Sequence, residues 1–170
     1  FLATRAEYLT FKHWVDADSR LTLEGSDLVG VIDLVKSAWQ NGSRMSPKTT
    51  FRNNQMIQPN RIHYTKPIIV LIDEMSGSGG DSFPAMMQGL GKLTLGTRTM
   101  GAGGHVTAMP NLDISANKVN ITKSLFFRPD GEPVENNGAV ANIAYQPTRD
   151  DFLYEYRNYQ KRYLEELAKL

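Results

Sequence analysis

Apolar residues along the chain fall into distinct patterns, and each predicts an element. From Leu28 to Trp39 they recur at helical spacing: Leu28, Val29, Val31, Ile32, Leu34, Val35, Ala38 and Trp39. The spacing predicts a largely buried helix, with Ser26 or Asp27 placed to cap its start and Gly42 its end. "PIIVLID", residues 67–73, is instead a continuous apolar and β-branched run. Such a run is the pattern of a parallel strand covered on both faces. Residues 81–90 return to helical spacing, and Pro84 is expected in the first turn, where its missing N–H has no partner to lose. "KLTLGT" (92–97) reads as a second strand, "GAGG" (101–104) as a turn before "HVTAM", and "KVNITKSLFF" and "VANIAY" as later strands. In the tail, Thr148 and Asp151 are spaced as a reciprocal cap, and Phe152, Tyr156, Tyr159, Tyr163, Leu167 and Leu170 follow at helical spacing. Residues 1–24 alternate only loosely, with "SRLTLEG" a short strand closed by Gly25, and residues 43–62 read as a long connection of the kind that is often functional. Strands interleaved with helices define an α/β chain with an antiparallel portion after residue 104.

Composition narrows the possible functions. At 170 residues the chain is long enough for one full-sized domain spanning 1–170. A formal charge of +1 supplies no field that would draw nucleic acid or an anionic membrane. With no cysteine, disulfides, thiolate nucleophiles and cysteine-ligated metals are all excluded. No apolar run approaches the roughly 20 residues that a membrane-spanning helix needs, and no signal-peptide pattern stands at the start. Beginning at Phe1 in "FLATRAEYLTFKHWV", the chain reads as a processed product or an excised fragment, so pieces of an active site are expected upstream.

The candidate chemistry lies where the apolar run meets the next helix, at "SGSGG", residues 76–80. A phosphate loop needs GxxxxGK followed by Ser or Thr, but the nearest lysine is Lys92, followed by Leu93 and placed at the wrong end of the helix. Gly77, Gly79 and Gly80 have the wrong spacing for a dinucleotide loop, so no cofactor is expected. A nucleophile turn asks for a serine among small residues, so that a strained backbone can push the hydroxyl out at the end of a strand. Ser78 satisfies this, with Ser76 where GxSxG has its first glycine. The helix that follows directs its free N–H groups at the same place, and the Gly79 N–H is the natural oxyanion donor. A turn with two capping serines explains the same residues without any chemistry. The α/β-hydrolase order of serine, acid and histidine fails, because only His105 lies downstream as histidine and the acid between them, Asp81, is too close to Ser78.

"PIIVLIDEMSGSGGDSFPAMMQGLGKLTLGTRTMGAGG" resembles the core of the C-terminal processing (tail-specific) and tricorn core protease family of serine peptidases. The S/T-x-S-x-[GS]-[DE] turn of that family falls on Ser76, Ser78, Gly80 and Asp81, and its G-x-x-T-x-G-x-G motif on Gly96, Thr99, Gly101 and Gly103. The similarity extends through "FFRPDGEPVENNGAVANIAYQPTRDDF", so that it covers about residues 64–152. One branch of the family places a lysine base between the two glycines, where this chain has Ala102. The tricorn-like branch uses an upstream histidine and a glutamate, and that glutamate falls on Glu135. The resemblance therefore implies a crotonase-like mixed sheet flanked by helices, with Ser78 as nucleophile and Glu135 as orienting acid of a Ser/His/Glu set. It also implies an extracytoplasmic location and a catalytic histidine, PDZ-like segment and Asn-x-Gly-Gly strand lying upstream. Ala141 and Asn142 depart from the family, standing where it has Pro and Asp.

The expected partners are a peptide or protein substrate and the N-terminal segment of the same precursor; a homo-oligomer is compatible, and neither nucleic acid nor metal is expected. His105 is an alternative base, although a strand-edge histidine bonded to backbone is the preferred reading. His13 and His63 read as surface or strand-entry residues. Asp16, Asp18 and Arg20 do not make a calcium loop, since Arg20 is no ligand and Leu21 stands where glycine is required. Asn41 and Asn120 match the N-x-[ST] pattern, which is short enough to arise by chance. Two rival functions keep the same fold: a non-catalytic binding or scaffolding relative, and a crotonase-type acyl-CoA enzyme.

Overall fold

In a computed structural model the protein is described for residues 1–17, 28–49, 60–108 and 119–170. The chain divides into two compact units, Phe1–His63 and Tyr64–Leu170. In the first unit, α1 (Arg5–Ala17) and α2 (Leu28–Gln40) pack on each other. Helix α1 corrects the loosely alternating reading of the N-terminal residues. Ala3, Glu7 and Phe11 are buried at intervals of four, a helical stripe diluted by polar neighbours. The Thr4 hydroxyl accepts the Glu7 N–H at 3.1 Å and caps the start. Phe11 joins Val31 and Val35 of α2 in a core flanked by Phe1, Tyr8 and Ile32. Each such buried side chain contributes about 1.5–3 kcal/mol. Helix α2 is the expected one, and Gly42 beyond its end has φ 75°, a conformation glycine adopts without steric cost. The "SRLTLEG" strand, the Ser26 or Asp27 cap and the residues Asp18 to Leu21 lie outside the described residues.

In the second unit, β1 (Ile69–Ile72) pairs in parallel with β2 (Leu93–Gly96), joined through α3 (Gly79–Gly89). The ribbon of β3 (His105–Ala108) and β4 (Asn120–Ser124) is antiparallel, as expected after residue 104. However, β5 (Ile143–Ala144), from "VANIAY", pairs in parallel with β2, giving the order β1-β2-β5. Among the described residues the expected mixed sheet is thus two separate sheets, one parallel and one antiparallel. The α/β class stands. Asn142 explains the placement of β5: its side-chain oxygen accepts the Thr94 N–H and the Thr94 hydroxyl, each at 3.0 Å, and its own N–H donates back to that hydroxyl. Gln88 of α3 donates to the same hydroxyl at 2.8 Å and to the Val140 carbonyl at 2.7 Å. A neutral amide thus holds the segment to β2 at the position where the resemblance expected an acid.

Two helices differ from expectation. Since α3 starts at Gly79, Pro84 lies in its second turn, not its first, and one intrahelical donor is missing there. Pro84 is buried, so its ring packs within the unit. The tail is not one helix but α4 (Arg149–Leu153) and α5 (Arg157–Leu167), broken where Glu155 and Tyr156 have φ 58° and 57°. The expected capping box is present at Thr148 and Asp151. The break has a physical reason. Helix α5 has no side-chain cap of its own at Tyr156, and the Asp151 carboxylate accepts the Tyr159 N–H at 2.9 Å in its place. One buried aspartate therefore serves the starts of both helices, which requires the chain to turn between them. The aromatic residues form a row, with Tyr159 set between Tyr145, tilted to it at 5.0 Å, and Tyr163, edge-on to it at 5.8 Å. Among the described residues no helix is long and apolar enough to cross a membrane.

Candidate active site

Strand β1 ends at Ile72, and the turn that follows is stitched by Asp73 and Ser76. The Ser76 hydroxyl donates to Asp73 Oδ1 at 2.9 Å and accepts the Asp73 N–H at 3.2 Å, while the Met75 N–H donates to the same Oδ1 at 3.0 Å. Ser76 is spent on structure. Ser78 is not: it occupies the N-cap position of α3, yet its side chain makes no capping hydrogen bond. Its backbone lies at φ 56° and ψ −111°, a region that costs a non-glycine residue about 1–3 kcal/mol. A turn of two capping serines is therefore corrected, because neither serine caps the helix. Ser78 and Gly79 are exposed, and among the described residues neither the Ser78 hydroxyl nor the Gly79 N–H has a hydrogen-bond partner. A hydroxyl and an adjacent backbone donor thus face solvent together at the positive end of a helix dipole.

The segment after β2 lies against this turn. The Met100 N–H donates to the Ser76 carbonyl at 2.9 Å. Asp81, fully buried in the first turn of α3, accepts the Gly101 N–H at 2.7 Å and the Ala102 N–H at 2.9 Å. Both carboxylate oxygens are used, so the head of α3 and the glycine loop are clamped through charge-assisted bonds. Gly101 has φ 80°, and a Cβ there would meet the backbone of Asn136 and Asn137 at 3.0–3.1 Å. Its carbonyl accepts the Asn136 N–H at 2.7 Å, which ties the loop to the segment carrying Glu135. Thr99 is buried and completes the tie: its hydroxyl accepts the Ala139 N–H at 2.7 Å and its own N–H donates to the Ala139 carbonyl at 3.0 Å.

Glu135 is half-buried. Its Oε2 accepts the Gly104 N–H at 2.7 Å, and its Oε1 accepts the Thr122 hydroxyl at 3.2 Å. The serine turn, through Ser76 and Asp81, and Glu135 are therefore both tied to the 100–104 loop, while among the described residues no hydrogen bond joins Ser78 to Glu135 directly. Ala102 is exposed on the same loop. His105 opens β3 opposite Ser124 and is exposed. Its ring makes no hydrogen bond among the described residues. His13 and His63 are exposed, and Nδ1 of His63 lies 3.1 Å from the Asn60 carbonyl. Nearby, a hydrogen bond from the Thr97 hydroxyl at 2.7 Å lowers the Glu74 carboxyl below its ordinary range. The sequence patterns had no signal for Thr122 at Glu135. Asp81 belonged to a motif, but its two amide partners, 20 and 21 residues away, appear only in the fold.

A parallel strand leading through a strained serine turn into a helix, with an acid fixed on a neighbouring loop, is the layout of a serine-type hydrolase. Residues 24–145 match the model of peptidase family S41, and the chain belongs to that family. It resembles mature CPAF, with a TM-score of 0.74 and 28% identity over 93% of this chain and 35% of that one. The tricorn protease matches with a TM-score of 0.50 and 26% identity, over 68% of this chain and 13% of its own. A protein of Chlamydia muridarum (strain MoPn / Nigg) is 36% identical over 141 residues, which are 80% of this chain and 23% of that protein. The chain spans between 18% and 30% of the length of the curated relatives it matches.

Proposed function

We propose that the chain carries the nucleophile and the orienting acid of a serine endopeptidase built on a crotonase-like core. Ser78 attacks the scissile carbonyl of a peptide or protein substrate. The Gly79 N–H receives the oxyanion, aided by the dipole of α3. An imidazole from a segment outside this chain takes the serine proton, and Glu135 orients that ring and stabilises its charged form. The same imidazole returns the proton to the departing amine, an acyl-enzyme remains on Ser78, and water then hydrolyses the ester. The observation that carries this reading is the conformation of Ser78: strained, exposed, at the head of a helix and with its hydroxyl unspent.

The test uses the full-length protein containing this chain and a fluorophosphonate probe. Labelling should map to Ser78 and vanish in Ser78→Ala. Glu135→Gln should keep the labelling but slow it by about 10²–10⁴-fold, the range for a misoriented base. A folded full-length protein that takes no label would overturn the reading and leave a non-catalytic relative; equal labelling in Ser78→Ala would overturn it by placing the reactive nucleophile elsewhere.

A further inference from the structure

The Glu135 side chain has three rotatable bonds, and an orienting acid must hold one carboxylate plane. The Gly104 N–H, at 2.7 Å from Oε2, fixes one oxygen but leaves the carboxylate free to swing about that bond. The second point comes from β4, where the Thr122 hydroxyl reaches Oε1 at 3.2 Å. Three features of the β3–β4 ribbon bring these donors together. Its register slips between His105 and Val106, next to the point where the Gly104 N–H reaches Glu135 instead of the ladder. Thr122 pairs with Val106 immediately after that irregularity. Gly104 also leaves the space that Thr122 and Glu135 fill, since a Cβ there would lie 2.4 Å from Thr122 Cγ2 and 2.8 Å from Glu135 Oε2. Two of the roughly four acceptor positions of the carboxylate are then occupied, and the others remain for an imidazole N–H.

We propose that Thr122 is a positioning residue for the reaction, acting through Glu135: with the Gly104 amide it sets the plane in which the carboxylate meets the imidazole. This rests on the function proposed above. The Asn120-Ile121-Thr122 match to the N-x-[ST] pattern acquires a different meaning, because its threonine hydroxyl is already committed to Glu135.

The experiment measures fluorophosphonate labelling of the full-length protein, separating the maximal rate from the half-saturating concentration. Thr122→Val keeps the shape of the side chain and removes the donor. It should lower the maximal rate about tenfold or more, since a hydrogen bond to a charged group is worth roughly that factor. The half-saturating concentration and the thermal midpoint should stay unchanged, and Thr122→Ser should restore the rate. A Thr122→Val rate within twofold of the parent, while Ser78→Ala abolishes labelling, overturns the positioning role and leaves the nucleophile intact. A slower rate accompanied by a lowered thermal midpoint and no rescue by serine also overturns it, in favour of a packing role. Labelling unaffected by Ser78→Ala instead removes the function on which the inference depends.

Discussion

A serine at φ 56° and ψ −111° stays there only because its neighbours hold it. Asp73 and Ser76 lock the turn before it, and the buried Asp81 carboxylate locks the helix after it against the glycine loop. The strain is therefore borne by the rest of the fold, and a residue without a Cβ should release it. Ser78→Gly relieves about 1–3 kcal/mol of backbone strain. Against this stands about 0.5–1 kcal/mol of added freedom in the unfolded chain. The variant should be more stable by roughly 1 kcal/mol on balance, seen as a higher urea midpoint with an unchanged slope, while fluorophosphonate labelling disappears. A midpoint at or below the parent value would show that the turn stores no strain at Ser78.

Among the elements, the tail depends on a single aspartate. Burial pushes the Asp151 carboxyl up, but hydrogen bonds from the Thr148 N–H, the Tyr145 hydroxyl and the Tyr159 N–H outweigh it and bring it from 3.8 down to about 2. Because the folded value is the lower one, the stabilisation is complete above pH 3.8 and is lost as pH falls through about 2. Tyr145 behaves in the opposite sense. Burial, then its bond to Asp151, raise its phenol from 10 to about 12, so its stabilisation is complete below pH 10 and is lost as pH rises through about 12. Tyr145→Phe should therefore move acid unfolding, followed by far-UV circular dichroism, to higher pH and make the alkaline loss between those values shallower. An acid midpoint that does not move would mean that the Tyr145 hydroxyl does not support Asp151. The Thr148–Asp151 cap was legible in the sequence because a capping box is written within four residues. The break at Glu155 and Tyr156 was not, since neither is a residue type that announces a left-handed turn and the demand comes from Tyr159 reaching back to Asp151. Helix α2 and strand β1 were equally legible, being dense apolar runs. By contrast α1 was hidden by a sparse stripe, and β5 was drawn into the parallel sheet by the Asn142 amide. At the site, Ser78 stood out because small residues surround it, whereas the use made of Asp81 and Thr122 depends on partners brought close only by folding.

For the whole molecule, the question is where the proton of Ser78 goes. Ala102 offers no amine, and His13, His63 and His105 are exposed, with no hydrogen bond to Ser78 or Glu135. The relatives are several times longer than this chain, which spans 18–30% of them, and a base supplied from outside these 170 residues fits that difference. A histidine base must be neutral to accept a proton, so labelling of the full-length protein should rise with pH through a limb at or above the ordinary histidine value of about 6.5. In the proposed arrangement Glu135 favours the charged ring and thereby raises that limb. In Glu135→Gln the limb should move down by about 1 pH unit, even as the plateau rate falls. His105→Ala should leave both limb and plateau within twofold of the parent, and the 170-residue chain alone should label slowly with no limb near neutrality. Two outcomes would overturn this assignment: a limb indifferent to Glu135→Gln, which would free the base from this carboxylate, or one abolished by His105→Ala, which would place the base on β3.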